Sequence, residues 1–429
     1  LAEWRLDPAA IAAALLHDVA EASPYTQKDI EKHFGKEVAF LVEAVTKLKT
    51  IRFTDASERS AENLRKMVLA FAQDIRVLLI KLLDHLHNME TISYLDQDEQ
   101  KRIARETIEI YAPLANRLGI GELKGQLEDL AFPIIYPEEH QWLMGHVKEP
   151  MEERRAYVER LIPYLKELLG KENVPSVDIH ARAKHWYSLW RKLQRHEMSI
   201  ENIYDLVAVR AILPTLEHCY TVLGAVHANF PPLPGRIKDY IALPKSNGYR
   251  SLHTTVVGPE GKIVEIQIRT PEMHQEAESG IAAHWAYSEE ESNEKRHRGA
   301  KTLQHSRDVA WIKQLRDWHA RFEDPNEFLE SLKIDFFKDR IFVFTPKGEV
   351  IDLPEGSTPV DFAYHIHSDI GDQATGAKIN GKMIALDTSL KNGDVVEILI
   401  QKNKKPSSQW LEFVKTSLAR KHIQSYLKK

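Results

Sequence analysis

A single cysteine, Cys219, occurs in 429 residues, which excludes an internal disulfide and any zinc site built on several thiolates. That poverty suits a reducing cytosol. No apolar run reaches the roughly 18 residues of a membrane helix, and no signal-peptide pattern opens the chain, so a cytoplasmic protein without membrane association is expected. There is no G-x-x-x-x-G-K-[ST] loop, which excludes a P-loop as the means of holding phosphate. Nor does one charge dominate: 58 Lys and Arg face 63 Asp and Glu, for a net charge of -5. General coating of nucleic acid is not suggested, and any basic site must be local. Internal repeats and low-complexity tracts are absent as well.

What is present is length enough for roughly three domains. Residues 1–136 carry apolar side chains at helical spacing, as in Val77, Leu78, Ile80 and Leu82, and read as an all-α domain. Residues 137–174 continue as a charged amphipathic helix, a connector. Residues 175–290 alternate strands at Val177–Ile179, Leu206–Leu213, Thr254–Val257 and Ile263–Ile268 with helices around Trp186–Leu193 and Cys219–Phe230, an α/β domain. Residues 291–338 form a linker with helices around Val309–Phe322 and Pro325–Leu332, after a charged stretch at Glu289–Arg298 that reads as a mobile linker or lid. Residues 339–402 read as a small mixed sheet with one helix, Thr358–His367, and residues 403–429 as the start of a further helical region. The chain is expected to begin inside a domain and to be a catalytic piece of a longer protein.

Four clusters could carry chemistry. The segment from Gly235 to Thr255 sets Arg236, Lys238 and Lys245 beside Asn247, Tyr249 and His253, in a Pro/Gly-hinged basic loop between apolar strands. Fixed cations for phosphates and a ring face for a base suit a nucleotide polyphosphate; a solvated basic loop is the bland alternative. Arg182, Lys184 and His185 precede a helix carrying Arg191 and Lys192, cations that converge on a triphosphate or simply line an amphipathic helix. Asp205 stands at the mouth of an apolar strand, and Glu265 shares a strand face with Gln267 and Arg269. Two such acids near a basic cleft suggest a magnesium site, with edge-strand salt bridges as the alternative. Finally His17, Asp18 and Asp84 make a three-ligand set for Mn2+ or a similar ion, with Asn88 one turn after Asp84 and Glu21 placed to orient a metal-bound water.

Together these residues resemble the long RelA/SpoT homologue family, the (p)ppGpp synthetase/hydrolases of the bacterial stringent response. The resemblance rests on LLHDVAE at Leu15–Glu21, KLLDHLHNM at Lys81–Met89, RETIEIYAPLANRLGI at Arg105–Ile120 and ARAKHWYSLWRKL at Ala181–Leu193. It continues in GRIKDYIALPKSNGYRSLHTT at Gly235–Thr255, VEIQIRT at Val264–Thr270, GIAAHWAY at Gly280–Tyr287, and a TGS-like stretch at Asp339–Gly371. It implies a multidomain α and α/β fold: an all-α HD-type hydrolase domain, a mixed α/β nucleotidyltransferase-like synthetase domain, and a small β-grasp-like TGS domain.

The resemblance also implies transfer of the β,γ-pyrophosphate of ATP to the 3′-hydroxyl of GDP or GTP. Arg182, Lys184 and Lys192 would hold ATP phosphates, Asp205 and Glu265 would place Mg2+, and Glu265 could assist deprotonation of the ribose hydroxyl. Tyr249 would stack on guanine among Lys238, Lys245, Asn247 and His253, with His185, Arg236, Gln267 and Arg269 in the same nucleotide site. In the HD domain Asn88 and Thr91 would meet (p)ppGpp. Active hydrolases of the family usually read Glu-Asp-Thr where this chain has Glu21-Ala22-Ser23, and Asp-Arg where it has Asp84-His85, so hydrolysis is expected to be weak or absent. Arg236-Ile237-Lys238-Asp239 matches the basic form of the motif in bifunctional members. The TGS module implies regulation through ribosome, tRNA or another protein, with His365 and His367 as contacts for a tRNA end or as helix caps. Two other readings stay open: a phosphohydrolase whose synthetase-like domain only senses nucleotide, and a non-enzymatic ribosome-binding adaptor, which Asp205 and Glu265 argue against.

Overall fold

The structure, a computed structural model, describes residues 1–49, 73–175, 178–200, 203–245, 247–283, 340–402 and 404–428. The expected linker and helices at 291–338 lie outside the described residues. Two compact units result, one running to Ala283 and one from Arg340. No helix among the described residues is long and apolar enough to cross a membrane.

The first unit opens with helices α1 (Pro8–Leu16), α2 (Gln27–Lys49), α3 (Ile75–Glu90), α4 (Gln97–Glu106), α5 (Ala112–Arg117) and α6 (Gly121–Ile135). Local chemistry sets the starts. Asp7 accepts from the Ala10 amide with Pro8 in the first turn, and Asp74 does the same for Arg76. The apolar run of α3 buries Val77, Leu78, Leu79 and Leu82 completely, so its polar positions, Asp84 among them, are held on a rigid base. Helix α7 (Pro137–Lys171) carries Leu143, Val147, Val158, Leu161 and Leu165 at helical spacing, and these join one core with Val207, Val209, Val256 and Ile266. The stretch expected to connect is therefore also a cover for the sheet.

That sheet has five strands, β1 (Asp178–Ala183), β2 (Val207–Ile212), β3 (Pro232–Asp239), β4 (Leu252–Val257) and β5 (Ile263–Arg269), in the order β1-β2-β5-β4-β3. Only β2 and β5 run parallel. Helices α8 (Trp186–Arg195), α9 (Leu216–Asn229) and α10 (Pro271–Ser279) complete the domain. The expected basic loop at 235–239 is corrected: it is part of edge strand β3, where Ile237, Lys238 and Asp239 face Thr254, His253 and Leu252. Its opening Pro232-Leu233-Pro234-Gly235 hides the strand pattern, and an edge position tolerates those prolines. Register then builds the polar face. His180 faces Arg210, Arg210 faces Gln267, Gln267 faces His253, and His253 faces Lys238, one row across all five strands.

In the second unit β6 (Arg340–Phe344) and β7 (Val350–Pro354) form a hairpin, and β8 (Ala374–Ile379), β9 (Lys382–Ile384) and β10 (Val396–Ile400) pair in the order β10-β8-β9. Helix α11 (Pro359–Ile366) packs with α12 (Trp410–Phe413) and α13 (Ser417–Leu427) through Val360, Ala363, Tyr364, Trp410, Val414 and Ile423. Fully buried Asp361 accepts from the backbone of Thr358, Lys415 and Thr416, which ties residues 404–428 to this unit. His367 caps the next turn, its Nδ1 accepting from the Asp369 amide at 3.2 Å.

Candidate active sites

Two carboxylates meet on the polar face of the sheet. Asp205, just ahead of β2, lies 2.7 Å from Lys184 Nζ and 2.6 Å from Lys192 Nζ. Burial alone would raise its proton affinity, but the two ammonium groups outweigh burial and hold the carboxyl well below its usual range. Glu265 on β5 lies 3.2 Å from His253 Nδ1 and accepts from Gln267 Nε2 at 2.9 Å. Burial lowers the His253 pKa, so the ring is neutral near pH 7, one nitrogen donating to Glu265 and the other, at 2.8 Å, accepting from the Tyr249 hydroxyl. Against its own burial, Glu265 is held low by these bonds, while the charge of Asp205 pushes it upward. Two ionised oxygen donors that repel one another are the donor type a hard divalent cation takes.

Cations and aromatics surround this pair. Arg236 lies over the Tyr204 ring at 5.7 Å, and Lys245 lies over both Tyr240 at 4.8 Å and Tyr249 at 5.1 Å. Lys238 neighbours His253 across the β3–β4 pair. Two expected nucleotide contacts are turned to protein acids instead. His185 pairs with Asp129 at 2.9 Å and Glu122 at 3.5 Å on α6, and Arg269, 1 % exposed at its side chain, pairs with Glu278 at 2.9 Å. Arg210 was missed by sequence reasoning. Burial first, then the charges of Arg269 and Arg182, lower it to about 10, and Glu278 at 3.0 Å is its counter-ion. Its signal was there: one arginine in the otherwise apolar strand Val207–Ile212.

The helical domain supplies a wall of this site. Asn247 Nδ2 donates to the Asn116 carbonyl at 3.2 Å, and the Ile281 amide donates to Leu118 O at 2.9 Å. Gly119 and Gly280, both at positive φ, allow the close approach: a Cβ on Gly280 would stand 2.1 Å from Leu118 O, and one on Gly119 2.9 Å from Asn247 O. On α6, Gly125 leaves room for the His185 ring, which a Cβ there would meet at 2.2 Å.

In the helical domain His17 Nδ1 lies 2.7 Å from the Ala14 carbonyl, and its Nε2 lies 3.2 Å from Asp84 Oδ1 and 3.5 Å from Asp18 Oδ2. Nε2 thus faces two carboxylate oxygens, and a ring nitrogen beside two such oxygens is the donor type that Mn2+ or a similar ion takes. The donors meet in pairs: among the described residues no group of three or more His, Cys, Asp and Glu stands as a ready metal cage. Asp84 is held by Lys81 at 2.8 Å and by Asn88 at 3.4 Å. Glu21 and Ala22 are exposed on a short turn of helix beyond Asp18, and Thr91 caps α3 with its hydroxyl on the His87 carbonyl. His85 points away, stacked on Tyr111 with ring centroids 3.7 Å apart and hydrogen-bonded to Thr107. Burial lowers it to about 3, so it carries no charge.

A His-Asp cluster in an all-helical domain and a carboxylate pair under a cationic α/β face are the two candidate sites of this chain. Family models match in the same order: an HD domain over residues 1–121, a region found in RelA / SpoT proteins over 181–292, and a TGS domain over 341–400. A GTP pyrophosphokinase of Myxococcus xanthus is 46% identical over 431 residues, covering 100% of this chain and 56% of that protein. A guanosine-3′,5′-bis(diphosphate) 3′-pyrophosphohydrolase of Aquifex aeolicus is 46% identical over 100% of this chain and 60% of its own length. The bifunctional (p)ppGpp synthase/hydrolase SpoT of Escherichia coli is 45% identical over 100% of this chain and 60% of its own length. The chain belongs to the long RelA/SpoT family and spans about half to three-fifths of the curated relatives it matches. Both catalytic domain types of this family depend on divalent metal ions.

Proposed function

We propose that the α/β domain transfers the β,γ-pyrophosphate of ATP to the 3′-hydroxyl of GDP or GTP in the cytoplasm. The observation that carries this reading is the ionised pair Asp205 and Glu265, with Lys184 and Lys192 on Asp205 and with the charges of Lys238 and Lys245 felt by His253, the partner of Glu265. Such a reaction needs charge neutralisation and in-line placement more than a covalent nucleophile. Arg182, Lys184 and Lys192 hold the donor triphosphate. Tyr249 stacks on the guanine, with Asn247 and His253 beside it, and Arg236 and Gln267 complete the nucleotide site. Asp205 and Glu265 hold Mg2+, which when bound offsets triphosphate charge. Glu265, with its low proton affinity, serves better as fixed charge than as base.

The helical domain keeps His17, Asp18 and Asp84 for Mn2+, Glu21 beside the water position, and Asn88 and Thr91 for (p)ppGpp. It lacks a carboxylate at Ala22 and a cation at His85, so its removal of the 3′-pyrophosphate is weak. The TGS module then meets ribosome, tRNA or another regulatory protein; the capping role of His367 leaves its exposed ring edge for that contact. Incubation with ATP, GDP and Mg2+ yields ppGpp and AMP on this reading, and incubation with ppGpp and Mn2+ releases pyrophosphate slowly. No transfer in the first reaction, with brisk hydrolysis in the second, would replace it by a hydrolase that senses nucleotide.

A further inference from the structure

Asp205 and Glu265 both lie ahead of the strand ladder that would fix their separation. The β2–β5 pairing begins at Val209 and Ile266, so neither the 203–206 segment nor the first residues of β5 are held together by it. One side chain spans that gap. Arg154, on the sheet-covering helix α7, directs Nη1 to the Tyr204 carbonyl at 3.5 Å and to the Ile263 carbonyl at 3.4 Å. Tyr204 immediately precedes Asp205, and Ile263 stands two residues before Glu265.

The guanidinium is half-buried and has no carboxylate within ion-pair distance among the described residues. It faces a cavity of about 550 Å3 lined also by Tyr157, Tyr204, Leu206, Lys262 and Ile263. Burial lowers its pKa, and Tyr204 and then Asp205 work in the opposite direction. An arginine placed only for packing would not need two backbone carbonyls, one just ahead of β2 and one opening β5. We infer that Arg154 is a positioning residue of the pyrophosphate-transfer site, clamping the two strand entries so that Asp205 and Glu265 keep the separation a divalent cation requires.

This inference rests on the reading of Asp205 and Glu265 as the metal site. Outer-shell partners of metal ligands typically change affinity or activity by 10–100-fold when removed. Arg154→Met keeps the stem and removes the donors; Arg154→Lys keeps a donor; Arg154→Ala opens the cavity to added ethylguanidinium. Mn2+ binding is followed by electron paramagnetic resonance with a non-hydrolysable ATP analogue, using Asp205→Asn to register Mn2+ bound elsewhere. Steady-state pyrophosphate transfer is measured in parallel.

Arg154→Met is expected to weaken the Asp205-dependent Mn2+ site about 10-fold and to lower kcat by a similar factor, with KM for GDP little changed. Arg154→Lys retains more of both, and ethylguanidinium restores kcat to Arg154→Ala. Loss of thermal stability alone, with Mn2+ affinity and kcat of the folded protein intact, would overturn the positioning role. If Arg154→Met binds Mn2+ as the parent does while Asp205→Asn loses it, the inference falls by itself. If Asp205→Asn binds as the parent does, the metal reading falls and takes the inference with it.

Discussion

The Tyr249 hydroxyl lies 2.8 Å from His253 Nε2, and that histidine in turn steadies Glu265, so ring and hydroxyl serve different partners. Tyr249→Ala removes both. It is expected to raise KM for GDP by the equivalent of about 1–3 kcal/mol, the worth of a stacked base. Tyr249→Phe keeps the stacking face, so its KM for GDP stays near the parent value while kcat falls as His253 loses its anchor; direct GDP titration separates the two. In the helical domain Ala22→Asp returns a carboxylate to the exposed turn beside Glu21. Positioned proton transfer typically contributes about 10²–10⁴-fold. Only part of that is expected in ppGpp hydrolysis, because His85 is neutral and packed on Tyr111 and supplies no charge. A full gain from Ala22→Asp alone, measured as pyrophosphate release, would mean that His85 does not limit the reaction.

At the scale of elements, α6 holds α8 through a charged histidine. Burial would lower His185, but Asp129 and Glu122 outweigh it and raise the imidazole to about 9. A raised folded-state value means stabilisation fully present below the ordinary value near 6.5 and lost as pH climbs through about 9. The stability gap between parent and His185→Gln is therefore expected to be on the order of 3 kcal/mol at pH 6, shrinking toward pH 9.5 in thermal melts. Gly125→Ala, which sets a methyl against that ring, is expected to cost about 1–3 kcal/mol. This contact shows what sequence reading reaches and what it does not. Strands β2, β4 and β5 and helices α8, α9 and α11 were legible from apolar period, and Asp205 and Glu265 from acids standing out in apolar strands. The use of His185 was not, because its partners sit 56 and 63 positions earlier and only the packing of α6 brings them close. Edge strand β3 was hidden by its prolines, and the role of α7 by a charged outer face that looks the same on a linker and on a sheet cover.

Across the whole first unit, the turn from Leu118 to Gly121 is where the helical domain grips the Asn247 loop of the α/β domain. Leu118 O accepts from Ile281 N, Asn116 O accepts from Asn247, and Gly119 and Gly280 close on one another with no room for side chains. The same turn begins α6, which packs against α3, the helix carrying Asp84 and Asn88. A ligand that shifts α3 thus has a short, stiff route to Asn247 and Tyr249, and coupling of this kind is typically worth 1–3 kcal/mol and must be reciprocal. Mn2+ with a non-hydrolysable (p)ppGpp analogue is expected to change GDP affinity about 5- to 150-fold, and GDP to change the analogue's affinity by the same factor. Gly119→Ala strains a left-handed position and presses on Asn247 O, so it is expected to weaken GDP binding while leaving ATP binding near the parent value. If both ligands bind Gly119→Ala as they bind the parent, or if the two occupancies prove independent in calorimetric titrations, the turn is a passive seam and coupling runs elsewhere, with the long helix α7 the next element to test.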